Sequence, residues 1–123
     1  MPVERSAEHP THEMGGNAIT SLAAPSRGAS EAALYRVNVP AGGGLPPHHH
    51  DHLDVFTVTS GEATFFLGDE THELVVGDSA VVPAGVRHYL IAGPDGASIV
   101  VTMLAGTKLI RDDGSEVVPP WVS

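Results

Sequence analysis

Residues 42–61 read GGGLPPHHHDHLDVFTVTSG, and positions 48 to 52 of this stretch hold four of the chain's eight histidines. In an extended segment successive side chains point to opposite faces, so His48 and His50 share one face while His49 takes the other. Asp54 has the same parity, although a bend in the intervening DHL would change its direction. The glycines and prolines before the histidines suit a bend that would deliver them into the mouth of a barrel. The stretch therefore predicts two converging imidazoles, with a carboxylate as a third candidate.

A fifth histidine extends this pattern at a distance. His88 follows PAGVR at the start of another apolar run, where a turn could bring it across from His48 and His50. Histidines and a carboxylate supply the donors of a site for a first-row transition metal. Neutral imidazoles favour Fe, Ni, Mn, Co, Cu or Zn over Mg or Ca. The alternative is a solvent-exposed loop that happens to be rich in histidine.

Composition excludes several classes of function. The 123 residues suffice for one domain, and 41% of them are hydrophobic, which is typical of a folded soluble protein. Fifteen acidic against six basic residues give a net charge of -9, which disfavours nucleic acid as a partner. The absence of cysteine excludes disulfides, zinc-thiolate sites and cysteine nucleophiles. No stretch is long enough to span a membrane, and the polar N-terminus lacks a signal-peptide core, so we expect a cytoplasmic protein without a membrane partner.

The apolar residues come in short runs separated by Gly, Pro and Asp, which predicts an all-β fold. Closing such strands into a small antiparallel β-barrel protects their edges. Gly68-Asp69 and the GPDG at 93–96 are predicted turns. The predicted strands span 17–23, 32–39, 54–59, 62–67, 71–75, 79–83, 88–92, 97–104 and 107–110.

Three segments are expected along the chain. Residues 1–16 are predicted to be a flexible arm, residues 17–110 the barrel, and residues 111–123 a tail packing on the barrel or on a partner subunit. Trp121, the only tryptophan, is predicted to be a packing anchor or a subunit contact.

Two motifs resemble those of the cupin superfamily. Gly42-x5-His48-x-His50-x3-Asp54-x6-Gly61 resembles its first motif, G-x5-H-x-H-x3/4-E-x6-G. The second, G-x5-P-x-G-x2-H-x3-N, is matched by Gly77-x5-Pro83-x-Gly85-x2-His88-x3-Ala92. The lead-in through ALYRVNVPAGGGLPPH also looks like the upstream strands of single-domain, quercetin-dioxygenase-like cupins.

The resemblance implies a jelly-roll barrel with one divalent transition metal per chain, bound by His48, His50, Asp54 and His88. Proton competition with ordinary imidazoles would weaken that binding as the pH falls through about 6. Asp54 replaces the family's glutamate and is one methylene shorter, so its part as a ligand is open. Ala92 replaces the family's asparagine, with a small expected effect on chemistry.

The remaining polar and aromatic residues receive weaker predictions. His49 and His52 are expected at the rim or in solvent, and His9, His12 and His72 receive no role. Arg87 could attract an anionic substrate, although a surface ion pair is at least as good an interpretation. The aromatic residues expected to fill the barrel, with some facing a ligand cavity, are Tyr35, Phe56, Phe65, Phe66 and Tyr89.

Three functions remain open at this point. The first is a non-haem dioxygenase that acts on a small enol or phenol chelated to the metal, with Asp54 as the catalytic base. The second is a metal-dependent isomerase, cyclase or lyase that uses no O2, and the third is a non-catalytic small-molecule-binding module. The resemblance also implies a homodimer, because small cupins commonly pair through sheet edges.

Overall fold

The computed structural model describes residues 2–123 and contains ten strands, three short 3-10 helices and, within those residues, no α-helix. The 3-10 helices span Ser6–Glu8, Pro25–Arg27 and Pro120–Val122. No helix in this part of the chain has the length and apolar character needed to cross a membrane. The strands are β1 (Thr11–Met14), β2 (Asn17–Ala23), β3 (Ala32–Val39), β4 (Gly44–His50), β5 (Asp54–Leu67), β6 (Glu70–Val75), β7 (Ser79–Val82), β8 (His88–Leu104), β9 (Leu109–Arg111) and β10 (Glu116–Val117).

The strands form one curled antiparallel sheet in the order β1-β2-β3-β8-β4-β9-β10, with β5 pairing β6, β7 and β8. The long strand β8 joins the two halves, because its first part pairs with β4 and its second part pairs with β3. Strand β5 pairs with β8 along nearly its whole length. The prediction of an all-β antiparallel jelly-roll barrel is confirmed.

Two pairs of predicted strands are continuous in the structure. The segments 54–59 and 62–67 form the single strand β5, and the segments 88–92 and 97–104 form β8. The prediction that a turn at 93–96 separates two strands was wrong, because β8 continues through these residues, which bulge out opposite a single residue of β5. The turn at Gly68-Asp69 is confirmed, since Leu67 pairs with Glu70 across it.

The ends of the chain contain strands that the apolar pattern does not reveal. Strand β1 lies within the predicted arm and pairs with β2, so the sheet begins before residue 17. Strand β10 lies within the predicted tail and pairs with β9. Trp121 is 9% exposed and packs on the chain's own barrel, with its ring 6.2 Å from that of Tyr35. The division into arm, barrel and tail stays a prediction.

The bend in β5 depends on a glycine of the first motif. Gly61 has a φ of +71°, and the pairing of β5 with β8 shifts register on both sides of it. A Cβ atom at this position would clash with the carbonyl oxygen of Gly96 in β8. Both the left-handed backbone and the close approach of the two strands therefore require glycine here.

We expect Gly61→Ala to lower the free energy of unfolding by at least about 2 kcal/mol, because backbone strain and a backbone clash add. Gly77→Ala is the matched control, since Gly77 also has a positive φ of 94° but nothing within 4 Å of an added Cβ. It should lose only the strain, about 1 kcal/mol. Urea denaturation measures both values. Equal losses would show that the approach of Gly96 does not constrain position 61.

Candidate metal site

Three strand ends bring the predicted ligands together. His48 and His50 lie on one face near the end of β4, and His88 begins β8 directly opposite His48 in the β4–β8 register. Directly opposed residues of an antiparallel pair project to the same face. Asp54 begins β5 after the short link that follows β4. All four side chains are buried in the barrel interior.

The three imidazoles form a compact cluster. The Nε2 atoms of His48 and His50 are 3.0 Å apart, and the ring centroid of His88 is 4.5 Å from that of His48 and 5.2 Å from that of His50. Each histidine offers one ring nitrogen, and the three nitrogens lie within 4.8 Å of one another, so the group could hold a metal ion.

The hydrogen bonds of two rings leave the correct nitrogen free for a metal. The Nδ1–H of His48 donates to the carbonyl of Pro46 at 2.8 Å, and that of His88 donates to the carbonyl of Val86 at 2.9 Å. These bonds assign the proton to Nδ1 and leave Nε2 unprotonated, as in metal-ligating histidines, and the Nε2 lone pair of His48 faces Nε2 of His50. Two nitrogens bound at right angles, each about 2.1 Å from an ion, would lie about 3.0 Å apart. The separation of His48 and His50 fits that arrangement.

Several polar atoms of the cluster lack a hydrogen-bond partner among the described residues. These buried atoms are Nδ1 of His50, Nε2 of His88 and both carboxylate oxygens of Asp54. The Oδ2 atom of Asp54 lies 3.3 Å from Nε2 of His50 and 3.9 Å from Nε2 of His88. Leaving such groups unpaired in a barrel interior is costly. A cation between the imidazoles and the carboxylate would offset that cost for Nε2 of His88 and for the Asp54 oxygens, so the donor set fits a transition metal.

Burial shifts the pKa values of the cluster in opposite directions. Burial, followed by the charges of His48 and His88, lowers the pKa of His50 to about 3. Burial and then the charge of His48 lower the pKa of His88 to about 4. Burial also lowers the pKa of His48, whereas it raises the pKa of the Asp54 carboxyl to about 7. The imidazoles are therefore neutral at physiological pH, as metal binding requires.

These values change the expected pH dependence of metal affinity. Protons compete with a metal only when the pH falls to the pKa of the free ligand, so His50 and His88 should not compete above about pH 4, and burial lowers the pKa of His48 in the same direction. Asp54 must lose its proton to face a cation, so wild-type affinity should fall below about pH 7, by at most about tenfold per unit. The affinity of the Asp54→Ala protein should change less over the same pH range, because burial lowers the pKa of all three imidazoles.

Titration calorimetry with Zn²⁺ checks both profiles, with the fluorescence of Trp121 reporting the folded fraction. A steep loss of affinity near pH 6 in both proteins would mean that ordinary, solvated histidines bind the metal. In that case metal affinity would be lost near pH 6, as expected for unperturbed imidazoles.

Other histidines of the chain lie outside the group formed by His48, His50 and His88. His49 points away from it on β4, and His52 is exposed with Nδ1 3.0 Å from an Asp51 carboxylate oxygen. His72 is exposed and lies 2.8 Å from Glu70. Arg87 donates to both carboxylate oxygens of Asp112 on the surface, as in the ion-pair interpretation.

Three residues beside the cluster were missed or given only a general packing role by the sequence. Tyr35 and Trp121 line a cavity of about 20 Å³ together with His48. Burial and then the charge of Asp54 raise the pKa of the Tyr35 hydroxyl. Arg111 lines a second cavity, of about 90 Å³, which also borders His48. Their positions depend on long-range strand pairing, for which a single sequence carries no local signal.

Aromatic rings form the floor of the site. The ring of His88 packs edge-on against Phe56 at 5.3 Å and stacks with Phe65 at 6.0 Å between centroids. Both phenylalanines are almost fully buried. This apolar wall excludes water from one side of the cluster and holds the His88 ring in place.

A curled antiparallel barrel with three histidines and a carboxylate at the ends of its strands is the arrangement implied by the two motifs. The cupin domain family matches residues 35–105, more than half of the chain. The chain therefore belongs to the cupin family. No curated protein sequence matches it.

Solved structures with the same fold share little sequence with the chain. An RmlC-like cupin from Shewanella frigidimarina has a TM-score of 0.73 and 23% identity, over 89% of this chain and 91% of that one. KdgF from Halomonas sp. has a TM-score of 0.73 and 20% identity, over 84% and 94% respectively. The polyketide cyclase RemF from Streptomyces resistomycificus has a TM-score of 0.75 and 23% identity, over 87% and 81%. At this identity the similarities establish the fold alone.

Proposed function

We propose that the chain is a metal-dependent enzyme in which His48, His50 and His88 hold one divalent transition metal. The convergence of three buried imidazoles on a buried carboxylate, with partnerless polar atoms, carries this proposal. A barrel without a ligand has no need for these groups, because apolar side chains would fill the same space at lower cost.

The donor set narrows the choice of metal. Neutral imidazole nitrogens suit Fe, Ni, Mn, Co, Cu or Zn, whereas Mg²⁺ and Ca²⁺ prefer sites made of oxygen ligands. The absence of cysteine leaves nitrogen and oxygen as the ligand atoms. We therefore expect about one metal ion per chain, and we expect that ion to be one of these six elements.

Asp54 would serve as a weak ligand and as the catalytic base. Its carboxylate faces His50 and His88, and its oxygens make no hydrogen bond that would hold them in one orientation. A metal in this site would supply Lewis acidity and, if redox-active, a means of reaction with O2. The Asp54 carboxylate would accept the hydroxyl proton of a small enol or phenol, leaving the corresponding oxyanion as the reactive group. Dioxygenation of such a substrate is the activity that we propose first.

The same site supports a second candidate, a cyclase, isomerase or lyase that uses no O2. Proton removal by Asp54 would be its first step as well, with the metal acting only as a Lewis acid. A polyketide cyclase has the same fold over most of both chains, which shows that a barrel of this kind can house such chemistry. A non-catalytic binding module would retain the same metal without turnover.

One experiment separates these functions. The purified protein is analysed for metal and then incubated with a panel of flavonols, enols and diketones while oxygen uptake and product formation are followed. Oxygen uptake with product supports the dioxygenase, and metal-dependent product without uptake supports the second candidate. Tight binding without turnover would leave the binding module. A protein that takes up no transition metal would contradict all the metal-dependent functions.

We also propose that the chain forms a homodimer. Asp54 of β5 pairs with Val82 of β7 on one side and with Met103 of β8 on the other, and all three side chains point inward. Their neighbours along the chain point outward and expose large apolar side chains. These neighbours are Leu53, Val81 and Leu104. Large apolar side chains exposed on one face are typical of subunit contacts.

Analytical ultracentrifugation at micromolar concentration should show a dimer that persists in moderate salt, because an apolar interface is insensitive to ionic screening. Leu104→Glu should shift the protein to a monomer of unchanged secondary structure. A monomeric wild-type protein would contradict the proposal.

A further inference from the structure

Arg111 lies in direct cross-strand register with a candidate metal ligand. It ends β9 and pairs with His48 of β4, and on the other side of β4 His48 pairs with His88. Directly opposed residues of antiparallel strands project to the same face, so Arg111 shares the face of the two histidines. This places a cationic side chain at the mouth of the barrel.

The guanidinium of Arg111 forms no ion pair, although the exposed carboxylate of Asp113 is close enough to interact with its charge. Its side chain makes one long hydrogen bond, from Nη1 to Oγ of Ser115 at 3.4 Å. No carboxylate oxygen of residues 2–123 comes within 4.0 Å of it, whereas Arg87 nearby is held by Asp112. Arginine keeps its charge at any physiological pH. In a protein of net charge -9, a free cation at this position creates a local attraction for an anion.

A cavity lies between this cation and one of the candidate ligands, His48. Its volume is about 90 Å³, and its walls are formed by Met14, Pro46, Pro47, His48, Leu109 and Arg111. The walls between the guanidinium and the imidazole are mainly apolar, and proline has no backbone N–H to donate. The cavity therefore offers an anion one planar guanidinium and few other donors.

We propose that Arg111 binds the carboxylate of a small acidic substrate whose adjacent oxygen group reaches the metal site. A carboxylate matches the planar fork of a single guanidinium in shape and charge. A phosphate group would require further cations or N–H donors, which this cavity does not supply. The inference rests on the proposed metal site and narrows its substrates to enolisable acids, such as 2-oxo acids.

The test compares a charged ligand with its uncharged ester. Calorimetry measures the binding of pyruvate and of methyl pyruvate to the Zn²⁺-loaded protein, and metal content is measured separately. Arg111→Met should weaken pyruvate binding about 10- to 100-fold, the value of a charged hydrogen-bonded contact, and leave binding of the ester unchanged. Arg111→Lys should recover part of the affinity, because it keeps the charge and loses the fork. The metal content of both variants should equal that of the wild type.

Arg36→Met is the matched control, because Arg36 lies on β3 between the inward-facing Tyr35 and Val37 and so points outward. It should bind pyruvate like the wild type. Equal pyruvate affinity in the wild type and Arg111→Met, with normal metal content in both, would overturn this inference but not the proposed function. Tighter binding of inorganic phosphate than of pyruvate would also overturn it. A wild-type protein that takes up no metal would overturn the proposed function and this inference with it.

Discussion

Replacing His88 by alanine should reduce the metal content of the purified protein from about one ion per chain to near zero. His88 is the only candidate ligand contributed by β8, and its Nε2 lies 3.9 Å from the Asp54 carboxylate. Without it, only His48, His50 and the weak ligand Asp54 would hold the metal, and removing one of three imidazoles should weaken binding at least about 100-fold. Elemental analysis after dialysis, with calorimetry for the affinity, measures the loss.

His49→Ala and His52→Ala are the matched controls. Both residues belong to the same histidine-rich stretch, but His49 points away from the cluster and His52 is held by Asp51 at the surface. Each control should retain its metal, because neither ring reaches the site. Comparable losses from all three substitutions would mean that the stretch binds metal as a diffuse surface patch.

Replacing Asp54 by alanine should separate metal binding from chemistry. The three imidazoles remain, so most of the metal should remain at neutral pH, whereas turnover of the substrate found in the panel should fall by about 10²- to 10⁴-fold. This range is the usual cost of losing a positioned proton acceptor. Metal content and initial rates of the same preparation give both quantities.

Asp54→Glu restores the carboxylate found in the family motif and is the second arm of this experiment. It should retain or tighten the metal, because the longer side chain reaches further into the cluster. A large loss of metal in Asp54→Ala would identify Asp54 chiefly as a ligand. Undiminished turnover with full metal would remove Asp54 from the mechanism.

The alternation of side chains along a strand was sufficient to predict that His48 and His50 converge. The convergence of Asp54 could not be derived in this way, because it depends on the bend that carries the chain from β4 to β5. His88 required the second motif, since its position opposite His48 results from pairing between strands that are far apart in sequence. The resemblance to a family supplied that long-range information.

Local turn signals gave the wrong strand ends where the sheet bends. The apolar runs on either side of Gly61 looked like separate strands, although the glycine permits a sharp bend that keeps β5 continuous. The GPDG sequence likewise bends β8 without ending it, because both flanking runs stay paired with β5. The sequence placed Arg111 in a tail because β9 has only three residues and therefore gives no clear local signal. The strand is positioned by its pairing with β4.

The central claim is that one transition metal sits between His48, His50 and His88, and an anomalous diffraction experiment on crystals of the metal-loaded protein tests it most directly. The account predicts a single strong peak per chain, about 2.0–2.2 Å from the Nε2 atoms of all three histidines. The nitrogens that carry the hydrogen bonds to Pro46 and Val86 should face away from it. A peak bound by His49 or His52 instead, or a loaded crystal with no peak at the cluster, would contradict the account.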